Sequence, residues 1–369
     1  MTTTQPTSLP RPIATLTSLG TSVWLDSLSR AMIESRELER LVREQGVVGV
    51  TANPAIFEKA ISGGSEYDAP LAALRREGAD VFAAYEALAV EDVRAAADVL
   101  RPVYDRTDGL DGYASLEVAP DLAHDAEATL ASVLDLWGRL DRPNVMIKIP
   151  GTPAGAEAIR RATAAGINVN VTLLFSVDAY AQVADAYLSG LEERVARGEP
   201  VGDVVSVASF FVSRVDTAID RLLAERGRDD LAGRAGVANA RVAYGRFQEL
   251  FGDARFAALA GAGARVQRPL WASTGVKDER YRDVMYVEEL AGPETVNTMP
   301  LATFEAFADH GEARDALTGT EQGARRTLAE LRDAGIDLDA VTGRLLADGI
   351  EAFEVAMGKL LASIERRGG

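Results

Sequence analysis

The stretch Pro143-Asn-Val-Met-Ile-Lys-Ile-Pro-Gly-Thr-Pro-Ala-Gly155 decides how this chain is read. Val145 to Ile149 is an apolar run of strand character with one lysine, Lys148, near its centre. The run breaks on Pro150 and Gly151 and restarts as a helix at Thr152-Pro153. A lysine in such a run gives up the hydration of its ammonium. Of the 39 lysines and arginines only Lys59, Lys148, Lys277 and Lys359 are lysines, so where the sequence needs positive charge alone it uses arginine. Arginine keeps its proton, whereas a desolvated lysine can lose one and attack a carbonyl. The competing reading is a purely structural buried lysine.

Working outward, short apolar runs alternate with amphipathic helical patterns. Strand expectations fall at Ser22–Leu25, Val47–Thr51, Ala114–Val118, Val145–Ile149, Val169–Phe175, Val204–Phe211, Leu270–Ala272 and Val296–Met299. Between them lie helical patterns such as Ala31–Gln45, Asp125–Leu140, Ala156–Ala165 and Asp178–Arg197. Near-continuous apolar strands separated by helices argue for a parallel sheet covered on its faces. Eight such units predict an α/β fold, a single (β/α)8 TIM barrel. Helical insertions are expected at about 58–106 and 215–266, the second with Gly227, Gly233 and Gly236 as breakers, and a helical C-terminal tail from Thr303 to Arg367. Residues 1–18, rich in Thr, Pro and Ser, read as a flexible lead-in to a barrel domain spanning 19–369.

Composition narrows the function. The chain has 369 residues, 47% of them hydrophobic, enough for a large core without a metal or disulfide. With no cysteine, thiolate catalysis and disulfides are excluded. With only His124 and His310, a histidine-rich metal site is not expected. A net charge of −17 disfavours nucleic acid but permits a local cationic pocket for an anionic metabolite. The N-terminus lacks a basic start followed by an apolar block, and no apolar run approaches a membrane span, so a cytoplasmic location is expected.

In a barrel the chemistry gathers at the C-terminal ends of the strands. The polar residues there are Asp26 after the first run, Thr51 and Asn53 at the second, Glu117 at the third and Lys148 at the fourth. Asn170 and Thr172 lie on the fifth, on one face with Asn168. Ser209 and then Arg214 follow on the sixth, Ser273, Thr274 and Lys277 on the seventh, and Asn297 and Thr298 on the eighth. Bland alternatives stand beside these: Asn53 before Pro54 and Thr152 before Pro153 fit helix N-caps, Glu117 fits a structural ion pair, and Arg214 fits a solvated helix start. Taken together, a neutral Lys148 would form a Schiff base with a ketone, and Glu117 and Asp26 would move protons. Amide and hydroxyl side chains would hold sugar hydroxyls, and Arg214 would clamp a phosphate.

Five segments in this order resemble the transaldolase family: Ser22-Val-Trp-Leu-Asp26, Gly49-Val-Thr-Ala-Asn-Pro-Ala-Ile-Phe57, Ser115-Leu-Glu-Val118, Asn144-Val-Met-Ile-Lys-Ile-Pro-Gly-Thr152 and Ile167-Asn-Val-Asn-Val-Thr-Leu-Leu-Phe-Ser176. The likeness, to the longer bacterial form, runs from about Leu19 to the C-terminal helices. It implies transfer of a dihydroxyacetone unit from sedoheptulose 7-phosphate to glyceraldehyde 3-phosphate in the non-oxidative pentose phosphate pathway, giving erythrose 4-phosphate and fructose 6-phosphate. No cofactor or metal is implied.

By the same resemblance Lys148 is the nucleophile and Asp26 handles the proton of the hydroxyl beside the breaking bond. Glu117 acts through a water held with Thr172. Asn53, Asn170 and Ser209 contact the three-carbon unit or order the site, with Thr51 beside them, and Arg214 binds phosphate. The chain departs from the shorter members after the seventh strand: Trp271-Ala-Ser-Thr-Gly-Val-Lys277 ends in Lys277 where they carry a second phosphate-binding arginine, a point charge in place of a fork. Sugar phosphates are the expected partners, without nucleic acid or membrane, for a monomer or homodimer. Two other functions are consistent with the barrel: a Schiff-base aldolase using free dihydroxyacetone, and a silent barrel serving as a scaffold.

Overall fold

A computed structural model describes residues 9–367. Eight parallel strands close into a barrel in chain order: β1 (Thr21–Leu25), β2 (Gly49–Thr51), β3 (Tyr113–Glu117), β4 (Val145–Pro150), β5 (Val169–Leu174), β6 (Ser206–Phe211), β7 (Arg268–Ala272) and β8 (Thr295–Met299). β1 pairs with β8 to complete the ring. The (β/α)8 expectation holds, and strand boundaries differ from the sequence reading by one or two residues. Among the described residues no helix is long and apolar enough to cross a membrane.

Alternation along each strand divides the core in two. Val23, Leu25, Val50, Ala114, Val145, Ile147 and Val169 face outward and pack under the helices. Trp24, Tyr113, Met146, Val207, Leu270 and Val296 share the opposite face and fill the barrel interior. Beneath this apolar layer the N-terminal end is held by a buried ion pair, Arg268 to Asp111 at 3.0 Å. Ser22 bridges the pair, donating to Asp111 at 2.7 Å and accepting from Arg268 at 2.8 Å, and Trp24 Nε1 donates to Asp111 at 3.2 Å. With that end filled, open space remains at the strands' C-terminal ends.

Three sequence expectations change. Within 1–18, residues 1–8 lie outside the described residues, but Arg11–Ser18 is a helix that buries Ile13 and Leu16. Its threonines mask this i, i+3 apolar pair, and Pro12 sits in the first turn, where its missing N–H costs nothing. The single helix read over Ala31–Gln45 is two, Arg30–Glu34 and Glu37–Glu44, because Arg36 adopts a left-handed φ of 64°. Gly227 and Gly233 do interrupt their region with positive φ. Gly236, by contrast, lies inside the helix Ala235–Phe251, where a Cβ would stand 2.7 Å from the Val212 carbonyl oxygen.

The insertions and tail position the site. The 58–106 region contributes helices Asp68–Arg76 and Val81–Arg106 after Pro54–Gly63. The tail comprises Leu301–His310, Glu321–Asp333 and a 30-residue C-terminal helix, Leu338–Arg367. That last helix reaches the barrel mouth at Gly349, where a Cβ would stand 3.0 Å from Leu173 and 3.6 Å from the Arg214 guanidinium. Leu173 meets it from a left-handed backbone, φ 58°, at an irregularity in the β5–β6 register.

Candidate active site

Lys148 projects into the barrel from β4, in register with Glu117 on β3 and Asn170 on β5. Its Nζ stands 3.1 Å from Glu117 Oε2, with side chains 5% and 4% exposed. It also donates to the Ala52 carbonyl oxygen at 3.1 Å. Beyond this ion pair, Oε2 has no hydrogen-bond partner among the described residues. Burial pushes the Glu117 carboxyl above its ordinary range, and the neighbouring Lys148 charge opposes that rise.

Asp26 follows β1 directly. Its backbone N–H donates to Met299 at 2.7 Å, and its Oδ1 accepts from Thr51 Oγ1 at 2.7 Å. Thr51 is fixed in turn by Thr298 at 2.8 Å, so three strands aim one carboxyl. Asp26 keeps some surface open to the cavity but is enclosed deeply enough that burial dominates and raises its pKa. Lys148, Thr51 and Arg214 pull it down, in that order.

Thr172 lies on β5 opposite Pro150; its hydroxyl is buried without a hydrogen-bond partner among the described residues. Asn170 does not reach the cavity wall. It lies beneath Ser209, accepting from its hydroxyl at 2.7 Å and donating to Ser115 at 3.2 Å, so it orients a wall residue. Asn168, on the same face, spends its amide on the backbones of Pro143, Val145 and Val205. Asn53 is both an N-cap and a wall residue: Oδ1 accepts from the N–H groups of Ala55 and Ile56 at 3.0 Å, while the side chain lines the cavity. Thr152 is an N-cap for Gly155. Thr274 donates to Asn297 at 2.9 Å, and neither lines the cavity.

The cavity above these residues has a volume of about 810 Å³. Asp26, Thr51, Lys148, Thr172 and Ser209 form its inner end. Arg214, the second residue of helix Ser213–Ala224, stands over the Phe211 ring at 5.4 Å. Burial lowers the guanidinium pKa, and Asp26 opposes that shift. Arginine nevertheless stays charged near neutrality. Lys277 lies at the exposed rim. Ser273 carries a left-handed φ of 55° beside the cavity and shares a 2.8 Å hydroxyl contact with Ser213.

Sequence reasoning missed several wall residues: Arg221 on helix Ser213–Ala224, and Arg344, Asp348 and Phe353 on the C-terminal helix. Arg221 had a signal, because seven residues after Arg214 returns nearly to the same helix face. The C-terminal helix had none, since nothing in its pattern says which barrel end it crosses. Among the described residues no group of three or more His, Cys, Asp or Glu side chains could hold a metal ion. The arrangement sets an enclosed lysine, two carboxyls and a half-buried arginine at one end of the barrel.

Residues 23–364 match the family model described as transaldolase/fructose-6-phosphate aldolase. The chain is 51% identical over 370 residues to a protein of Streptomyces coelicolor named transaldolase 1, covering 99% of this chain and 97% of that one. It is 51% identical to the transaldolase of Mycobacterium ulcerans, over 95% of each chain, and 50% identical to that of Mycolicibacterium smegmatis, again over 95% of each. The chain therefore belongs to the transaldolase/fructose-6-phosphate aldolase family.

Proposed function

We propose that this chain transfers a dihydroxyacetone unit between sugar phosphates through a Schiff base on Lys148. Transaldolase activity follows from identity near one half over almost the whole chain to proteins of that name, and nothing favours the free-dihydroxyacetone aldolase or the silent scaffold. The observation that carries the residue-level reading is the buried Lys148–Glu117 contact at 3.1 Å, with Asp26 close enough to sense the same ammonium.

The steps follow from this geometry. Neutral Nζ adds to the ketose C2 carbonyl, and the carbinolamine loses water to an iminium. Glu117 moves the protons of that exchange. The Thr172 hydroxyl, buried without a hydrogen-bond partner among the described residues, and Glu117, whose Oε2 pairs with Nζ, are the buried groups that would hold the water involved. Asp26 takes the proton of the C4 hydroxyl as the C3–C4 bond breaks, and the bonding electrons pass to the iminium, leaving an enamine on Lys148. An aldose phosphate departs; the enamine then adds to an acceptor aldehyde, Asp26 returns the proton, and hydrolysis frees the new ketose phosphate. Asn53, whose Oδ1 accepts from the N–H groups of Ala55 and Ile56, and Ser209, held by Asn170, orient the three-carbon unit; Arg214 and Lys277 receive phosphate.

The donor–acceptor pair is sedoheptulose 7-phosphate with glyceraldehyde 3-phosphate. The chain acts as one barrel domain in the cytoplasm, as a monomer or homodimer. A coupled assay with fructose 6-phosphate and erythrose 4-phosphate tests the transfer: glyceraldehyde 3-phosphate should accumulate only when the acceptor is present. Equal release without an acceptor would mean that the three-carbon unit goes to water and that the enzyme is an aldolase.

A further inference from the structure

The acidic chain pairs many of its arginines with carboxylates: Arg142 with Asp98, Arg255 with Asp185 and Glu192, and Arg280 with Asp278 are examples. Around the cavity this changes. Arg214, Arg221, Arg344 and Lys277 all line it, and none forms an ion pair or a side-chain hydrogen bond in the described structure. Arg344 stays unpaired although Asp348, one turn further along the C-terminal helix, lines the same cavity. In a chain of net charge −17, such a gathering of free cations marks a place for an anion.

The cations are also graded in depth. Arg214 is half-buried and senses Asp26, so it belongs to the reacting end. Arg221 and Arg344 are exposed at the outer end. Arg221 lies seven residues beyond Arg214, about 10 Å along the helix axis at about 1.5 Å per residue, and on nearly the same face. Arg344 comes from the C-terminal helix, which carries Gly349 where a Cβ would stand 3.6 Å from the Arg214 guanidinium.

A ketose phosphate anchored at Lys148 has one end fixed. Each further carbon carries its phosphate about 1.3 Å outward, for a C–C bond of about 1.5 Å. A six-carbon donor ends nearer Arg214, and a seven-carbon donor carries its phosphate one step further toward the end that Arg221 and Arg344 line. We propose that Arg221 and the C-terminal helix residue Arg344 form an outer anion subsite that favours the longer ketose phosphate. The proposal rests on the Schiff-base reading of Lys148, which places the three-carbon unit at the inner end.

The experiment compares Arg221→Gln and Arg344→Gln with wild type on sedoheptulose 7-phosphate and on fructose 6-phosphate as donors. KM should rise about tenfold for the seven-carbon donor, the worth of one charge-assisted contact at a partly exposed site, and under about threefold for the six-carbon donor, with kcat little changed. Arg344→Lys should recover most of the difference. Arg106→Gln, which removes an exposed cation at the end of helix Val81–Arg106, should alter neither constant. Equal rises for both donors, or none, would overturn the subsite. Borohydride trapping at Lys148 in the same samples separates that result from failure of the Schiff-base reading.

Discussion

Asp26→Asn isolates the proton-transfer step. The amide oxygen can keep the 2.7 Å bond from Thr51, and the backbone bond to Met299 is untouched, so the side chain should stay in place. What disappears is the ability to take the C4 hydroxyl proton, an effect worth about 10²- to 10⁴-fold, or about 2.7–5.5 kcal/mol of barrier. Arg214 loses the pull of the Asp26 charge, so phosphate binding should not weaken and KM should not rise. Folding gives a second, opposite signature. Burial raises the Asp26 pKa, so the folded state holds this proton more firmly than the unfolded chain, and stability falls as pH climbs through the folded pKa. Removing the group should leave the variant at least as stable as wild type at pH 7. The assays are steady-state kcat and KM in the coupled reaction, borohydride trapping scored by intact mass, and thermal unfolding. The expected pattern is kcat down at least a hundredfold with the trapped adduct still formed. A loss of kcat smaller than tenfold, or an adduct lost in parallel with turnover, would refute the assignment.

Arg214→Ala should raise KM for phosphorylated ketoses by tenfold or more, as expected for losing a charged hydrogen bond of about 1.5–3 kcal/mol. An equal change for an unphosphorylated ketose would rule out phosphate contact. Burial pushes the Asp216 carboxyl up to about 6, although Gly236 N–H and Tyr286 donate to it at 2.7 and 2.9 Å. Stability from this group is therefore greatest below about pH 4 and is lost between about pH 4 and 6, by at most about 3 kcal/mol; the wild-type minus Asp216→Asn difference should show that slope, and a flat difference curve would contradict it. At the closed end of the barrel, Asp111→Ala leaves Arg268, 5% exposed, without its partner and should cost about 3–5 kcal/mol in urea unfolding, whereas Asp111→Leu with Arg268→Met should regain most of it. A double variant as unstable as the single one would show that the pair itself, and not the orphaned charge, matters.

The barrel was legible because its strands are buried on both faces and so appear as short apolar runs at regular spacing. The inner site was legible for the same reason in reverse. A lysine in Val145–Ile149 or a glutamate in Ser115–Val118 breaks a pattern, and register then sets Glu117, Lys148 and Asn170 side by side. Asn170 and Asn53 show where this reasoning thins. The sequence leaves each with two roles, contact with the three-carbon unit or ordering of the site, and Asn53 with an N-cap besides; in the fold Asn170 orients Ser209 and Asn53 caps a helix while lining the cavity, because a polar side chain in a strand does not announce which neighbour it will bond. The helix Arg11–Ser18 was hidden because two buried side chains are a weak signal among threonines. The outer wall was illegible for a different reason. Arg344 sits in an ordinary amphipathic helix whose placement over the mouth depends on tertiary contacts between Gly349 and Leu173.

The most direct test of the account uses the scarcity of lysine. Borohydride reduction in the presence of fructose 6-phosphate, followed by peptide mapping, must choose among Lys59, Lys148, Lys277 and Lys359. The expected result is one three-carbon adduct per chain, on Lys148. An adduct on another lysine, or an active preparation in which Lys148 stays unmodified, would contradict it.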